Sequence, residues 1–246
     1  MNSGVESIKS RIKKAIYDAF PATFKLFLAQ EIVNRHGYLR FLNTSFSQEG
    51  EDIILSQLFY GKVNGFYIDV GAHHPIQYSN TYRFYLNGWR GINIDAMPDS
   101  MNGFKKVRPE DTNLETAISN KDQVLTYYMF DAAGTNTFSE SHAEDMLKQG
   151  GILLATKNIR TVKLQDILAE RLAEGQEINF LSLDVEGLEL DVLMSNDWSK
   201  YRPTVLLVES LHLKNKDVLQ QYLNQYNYQL IAQTVNNLYF RDTKTI

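Results

Sequence analysis

Four apolar segments of the chain end in a carboxylate. They are Gly65-Phe66-Tyr67-Ile68-Asp69-Val70-Gly71-Ala72, Gly91-Ile92-Asn93-Ile94-Asp95, Phe180-Leu181-Ser182-Leu183-Asp184-Val185-Glu186-Gly187 and Val205-Leu206-Leu207-Val208-Glu209. A carboxylate on an otherwise apolar strand is costly to bury alone, so each one marks a place where a partner is expected. Gly71 lets a ligand approach the backbone at the turn after Asp69, and Asp95 stands where a doubly wound sheet places the carboxylate that holds a ribose hydroxyl. Asp184, Glu186 and Glu209 fall at the strand edge where α/β crevices bind ligands. Asp184 and Glu209 should share one rim, as general base or as oxygen ligands of a divalent cation such as Mg²⁺. Glu186, or His73 from the first loop, can equally act as a base without metal. Glu51 is a charge that suits a helix start and also a candidate contact for cofactor or substrate. His74, His142 and His212 read as ordinary polar residues.

Apolar runs bounded by turn signals suit buried parallel strands, so the elements around these residues should alternate strand and helix. Ser47 is expected to cap a helix that continues through Ile53, Leu55 and Leu58 to Gly61. A second helix, capped by Ser79 or Asn80 and ended near Gly88, joins the first two strands into a βαβ unit. A helix over about 100–106 leads to a third strand over 112–118, and Val124–Phe130 reads as a strand outside the alternation. Residues 131–158 are small, polar and glycine-containing around a helical pattern at 142–148, which predicts a mobile surface segment able to act as a lid. Order resumes at Ile159–Val162 and a helix from Leu164. After the strands ending in Asp184 and Glu209 come a helix over about 216–225 and two strands, 228–234 and 238–241, whose short separation predicts an antiparallel hairpin. Of Tyr78, Tyr82, Phe84 and Tyr85, most belong to a core, with one ring free to reach a substrate.

The 246 residues suffice for one large α/β domain with an appendage, and 43% hydrophobic content is ordinary for a globular protein. With no cysteine there is no disulfide, thiolate metal site or cysteine nucleophile, and a reducing cytoplasm is the expected compartment. No apolar stretch approaches the roughly 20 residues of a bilayer span, and the amino terminus lacks a signal-peptide core. A net charge of −4 argues against general nucleic-acid binding. The charge is uneven: residues 1–45 hold seven Lys and Arg against three Asp and Glu, a net +4, which leaves −8 for the rest. That basic part reads as a helical arm, interrupted by Pro21, that packs on the main domain or on the second subunit of a homodimer, or lies on an anionic membrane surface at the inner face. The domain division is therefore 1–45 and 46–246.

Five fragments in fixed order carry a resemblance: Ser47-Gln48-Glu49-Gly50-Glu51-Asp52, Tyr67-Ile68-Asp69-Val70-Gly71-Ala72-His73, Gly91-Ile92-Asn93-Ile94-Asp95-Ala96-Met97-Pro98, Asn113-Leu114-Glu115-Thr116-Ala117-Ile118-Ser119 and Asp184-Val185-Glu186-Gly187-Leu188-Glu189. From about Ser45 to Glu209 the sequence resembles the FkbM-family S-adenosylmethionine-dependent methyltransferases. The resemblance implies a class I methyltransferase fold, a Rossmann-like α/β domain with a mostly parallel seven-stranded sheet and a carboxyl-terminal antiparallel hairpin. It implies S-adenosylmethionine held by Glu51, Asp69, Gly71, Ala72, Asp95, Ala96, Ala117, Ser119 and Asp184, and Asp184, Glu186, His73 and Glu209 as candidate catalytic groups. It further implies methyl transfer to a hydroxyl, with a sugar of a surface polysaccharide or glycan precursor as the leading acceptor class. Any metal would sit on Asp184 and Glu209. The residues agree with this donor. A dinucleotide needs its pyrophosphate cradled by several glycines, whereas Gly71 is followed here by Ala72, His73, His74 and Pro75, which counts against NAD. The rival functions are a catalytically degenerate module that only binds the donor and a membrane-associated scaffold acting through its basic arm.

Overall fold

The computed structural model describes residue 31, residues 41–210 and residues 216–244. Apart from residue 31, the helices expected in the arm lie outside the described residues, as does His212. The chain divides after Thr44, and the unit considered below is Ser45–Ile246. Among the described residues no helix is long and apolar enough to cross a membrane.

That unit is built on α1 (Glu51–Leu58), β1 (Phe66–Val70), α2 (Tyr82–Leu86), β2 (Arg90–Asp95), α3 (Met101–Val107) and β3 (Thr112–Glu115). There follow β4 (Ala117–Ile118), β5 (Val124–Phe130), α4 (Glu140–Lys148), β6 (Leu153–Val162), α5 (Leu164–Arg171) and β7 (Phe180–Leu183). The last elements are α6 (Glu189–Met194), β8 (Val205–Glu209), α7 (Lys216–Asn224), β9 (Tyr228–Gln233) and β10 (Asn237–Asp242). Seven strands form one sheet in the order β3-β2-β1-β7-β8-β10-β9, with β10 antiparallel to both its neighbours and the other neighbouring pairs parallel. This order, with the closing hairpin threaded so that its second strand lies inside the first, is the class I methyltransferase sheet.

The strands read as apolar runs because both faces are covered. Ile68, Val70, Ile92, Ile94, Leu181, Leu183, Leu206 and Val208 pack on one face against Leu164 and Leu168 of α5, Val192 of α6 and Leu219 of α7. Tyr67, Phe180, Val205 and Leu207 pack on the other against Leu55 of α1, Phe84 of α2 and Trp89. Full burial of side chains of this size contributes about 1.5–3 kcal/mol each. The two-residue period along each strand then decides where the carboxylates go. Asp69 follows Tyr67 by two and lies level with Asn93 and Ser182 on the adjoining strands, so the polar positions gather on the aromatic face at its carboxyl edge.

Three local expectations change. The helix thought to be capped by Ser47 begins only at Glu51, after Gly50 in a left-handed conformation, and Ser47 instead bonds Asp52. The third strand is two: β3 stays in the main sheet, and β4 pairs with β6 in a second sheet of order β4-β6-β5. Residues 153–158, read as part of a surface segment, are the first half of β6 and pair antiparallel with β5 from Phe130↔Leu153 to Thr126↔Asn158. They escaped the sequence pattern because residues 153–158 are exposed on both faces, which removes the alternation by which a half-buried strand is recognised.

Candidate active site

At the carboxyl edge, where the strand order turns between β1 and β7, a cavity of about 700 Å³ opens, a size that suits a small-molecule site. Its lining includes Glu51, Asp69, Gly71, Ala72, His73, Asp95, Ala96, Asp184, Glu186 and Glu209. Segments far apart in sequence thus meet as expected. Ala117 and Ser119, expected among the cofactor contacts, do not line it; both are buried, and Thr116 and Ile118 line it instead. The split between β3 and β4 explains the one-residue offset: the Thr116 amide bonds the Asp95 carbonyl, and the chain leaves the main sheet there.

Gly71 has φ 79°, and a Cβ on it would lie 1.5 Å from the carbonyl oxygen of Asp184. The glycine is therefore required by the neighbouring strand end and not only by an approaching ligand, as the sequence reading had it. Its turn carries His73, at φ 53°, whose backbone amide donates to Asp95 Oδ2 at 2.8 Å, while the Met97 amide donates to Asp95 Oδ1 at 2.7 Å. Burial pushes the Asp95 carboxyl up and these two bonds oppose it. Each oxygen retains a lone pair for a ligand hydroxyl.

After β7 the chain turns through Glu186 at φ 52° and Gly187 at φ 105°. Glu189 shapes this turn: its Oε1 accepts from the amides of Val185 and Gly187 at 3.2 and 3.0 Å, which accounts for the acidic residue closing the Asp184–Glu189 fragment. Asp184, Glu186 and Glu209 come together so that one oxygen of each lies within 4.8 Å of the others. Burial and the repulsion of neighbouring carboxylates hold both Asp184 and Glu209 above the ordinary carboxyl range, and a hydrogen bond between the two lets them share a proton. The buried His142 of α4 places its Nε2 3.6 Å from Glu186 Oε2, so this histidine, read as an ordinary polar residue, belongs to the site. Only tertiary folding brings it there.

Two outer segments complete the walls. Ser45, Phe46 and Ser47 all donate to the buried Asp52 carboxylate, and Glu51 accepts from the Asn237 side chain at 2.8 Å and the Glu49 amide at 2.8 Å. The Ser47–Asp52 fragment thus ties α1 to the closing hairpin. On the other side, Phe138, His142 and Met146 face the cavity, and Thr137 donates to the Glu186 carbonyl at 2.7 Å. Tyr78, half exposed at φ 57°, is the ring of the aromatic group that reaches the lining, while Tyr82 and Phe84 are buried.

Behind the floor lies a network that the sequence did not announce. Arg108 is fully buried, donating to Asp111 Oδ2 at 2.9 Å, Tyr67 Oη at 2.8 Å, Thr81 Oγ1 at 2.9 Å and Ser79 Oγ at 3.4 Å. Thr81 in turn donates to Asp69 Oδ2 at 2.6 Å. Burial pushes the Asp69 carboxyl up, opposed by this bond and by the Arg108 charge.

Comparison with known proteins gives a family. Residues 69–230 match the family model of the methyltransferase FkbM domain. Two solved structures are similar: a methyltransferase from Geobacter sulfurreducens, 11% identical, covering 95% of this chain and 96% of that one with a TM-score of 0.42, and a TehB-like SAM-dependent methyltransferase from Corynebacterium glutamicum, 7% identical, covering 87% and 98% with a TM-score of 0.42. No curated protein matches. With the family model spanning most of the chain, and the sheet order and edge cavity in agreement with it, the protein belongs to the FkbM methyltransferase family and is an S-adenosylmethionine-dependent methyltransferase.

Proposed function

We propose that the protein methylates a hydroxyl of a neutral sugar in a cytoplasmic precursor of a surface polysaccharide or glycan. The observation that carries this reading is the division of the cavity. One side offers Gly71, Ala72, Asp95 and Ile118, a backbone turn, a carboxylate and an apolar wall that suit an adenosine with its ribose. The other offers Asp184, Glu186, Glu209, Asn236 and Asn237, carboxylates and amides whose hydrogen-bonding capacity suits a polyol. The exposed Tyr78 ring at the lining supplies a flat surface for a sugar face. Asp69 takes the amino end of the donor.

Bound S-adenosylmethionine supplies an electrophilic methyl group and a positive charge that offsets the clustered carboxylates. The chain's own residues hold the acceptor oxygen in line and take its proton, and positioning of this kind supplies much of the rate in displacements. Asp184 is the base, because its carboxyl is held above the ordinary range and is therefore a stronger proton acceptor when ionised. Glu209 shares its proton with Asp184, and Glu186 keeps His142 at the same wall. A second reading is favoured by the mutual approach of Asp184, Glu186 and Glu209: three oxygen donors of this kind suit Mg²⁺, which would orient the hydroxyl.

Calorimetry with S-adenosylmethionine and S-adenosylhomocysteine tests the donor half, with Asp95→Ala expected to weaken both. Failure of either ligand to bind the intact protein would sink the assignment of that half. Mass spectrometry of neutral glycosides, uronic acids and amines incubated with donor and protein tests the acceptor half, and methylation confined to carboxylates or amines would remove the hydroxyl reading. Turnover unchanged in excess chelator would remove Mg²⁺.

A further inference from the structure

Arg108 has no exposed surface, yet it is a cation with five N–H donors at the back of a ligand cavity. Asp111 neutralises it, and Asp111 is itself fixed by Tyr67 Oη at 2.6 Å, the Gly91 amide at 2.9 Å and the Asn93 side chain at 3.0 Å. Gly91 leaves room for this arrangement, because a Cβ there would lie 2.2 Å from the Tyr67 ring. The network reaches the cavity at Ser79, which lines it, and at Asp69, which Thr81 holds. Because Arg108 can only donate, the Thr81 hydroxyl must accept from Nη2 and direct its single proton to Asp69 Oδ2. A hydroxyl between a guanidinium and a carboxylate makes a charge-assisted bond on each side, and such bonds are shorter and stronger than neutral ones. Asp69 lines the cavity, and with Oδ2 held by Thr81 its other oxygen is left for the ligand.

We infer that Arg108 and Thr81 are positioning residues for the donor: the relay Arg108–Thr81–Asp69 aims the Asp69 carboxylate at the amino end of S-adenosylmethionine. The inference rests on the assignment of Asp69 to that end. Arg108 acts from behind the site and touches no ligand. The relay sets recognition of the aminocarboxypropyl arm and leaves recognition of the adenosine to the Asp95 side.

The experiment compares two ligands that differ in that arm. S-adenosylhomocysteine carries it; 5′-methylthioadenosine keeps the thioether and nucleoside without it. In the full chain, Thr81→Val keeps the side-chain shape and removes the hydroxyl, and should weaken S-adenosylhomocysteine by about tenfold while methylthioadenosine changes by less than about twofold. Thr81→Ser, which retains the hydroxyl, should restore the ratio. Arg108→Lys should reduce the same ratio in the native background and leave it unchanged in the Thr81→Val background, since the two act in series. If Arg108→Lys does not fold, the Thr81 variants decide. Equal weakening of both ligands by Thr81→Val, or of neither, overturns the relay, since a merely structural defect would affect both. Asp69→Asn separates the two claims. If it loses the ratio while Thr81→Val keeps it, the relay fails and the assignment of Asp69 stands; if Asp69→Asn keeps the ratio, both fall.

Discussion

Two groups of buried charge lie on the same face of the sheet, one deeper, behind Asp69, and one at the carboxyl edge, and they are built in opposite ways. The group around Arg108 and Asp111 pairs a cation with an anion, and each donates to or accepts from hydroxyls and amides at 2.6–3.4 Å. The group around Asp184, Glu186 and Glu209 brings three carboxylates within 4.8 Å of one another, with the imidazole of His142 beside Glu186. A satisfied ion pair fixes backbone and side chains, whereas like charges held together cost stability and hold Asp184 and Glu209 above the ordinary carboxyl range. The first group is the rigid back of the cavity, and under the proposed function the second is its working edge.

The largest expected effect tests the first group. Arg108→Met leaves Asp111 buried without its cation and should cost about 3–5 kcal/mol, read as a fall in the denaturant midpoint at constant slope. The second group should respond in the opposite sense. Asp184→Asn should lower turnover by about 10²–10⁴-fold while the unfolding free energy holds or rises, because a repelling charge is removed. A loss of stability comparable to that of Arg108→Met would show that the two groups do the same job and would break the comparison.

A pH series sharpens it. Asp184 and Glu209 have folded-state pKa values above their unfolded ones, so above about pH 4 the folded chain binds more protons than the unfolded chain, and stability from these groups falls as pH rises through neutrality. The slope is at most about 1.4 kcal/mol per pH unit for each proton. Glu209→Gln should flatten the denaturant midpoint against pH, and a wild-type midpoint that rises between about pH 5 and 8 more steeply than the variant's contradicts the shared proton. The smallest effect concerns the wall that leans on the acidic turn. Thr137→Val removes the bond to the Glu186 carbonyl and should cost about 1 kcal/mol in thermal or denaturant unfolding.

The carboxylates were legible because each interrupts an apolar run, a break in pattern that survives without knowing the fold. The ribbon of β5 and β6 was half legible: Val124–Phe130 has the strand composition, while its partner at residues 153–158 has exposed residues on both faces and no period to detect. Glu189 and Asp52 appear in the sequence as acidic members of motifs, yet both serve the backbone, bracing the turn after β7 and the segment before α1. Nothing in a sequence distinguishes a carboxylate that accepts backbone amides from one that faces a ligand.

By itself, then, the sequence determined the strands of the main sheet, the carboxyl edge on which the acidic residues end, and the family, because periodicity and local motifs are properties of neighbouring residues. Tertiary structure alone decided that Gly71 is demanded by the Asp184 carbonyl, that Thr116 and Ile118 replace Ala117 and Ser119 at the wall, that His142 joins Glu186, and that Arg108 stands behind Asp69. Each depends on contacts between strands or helices distant along the chain, set by the register of β1 against β2 and β7. A register is a relation between segments, and no single segment carries it.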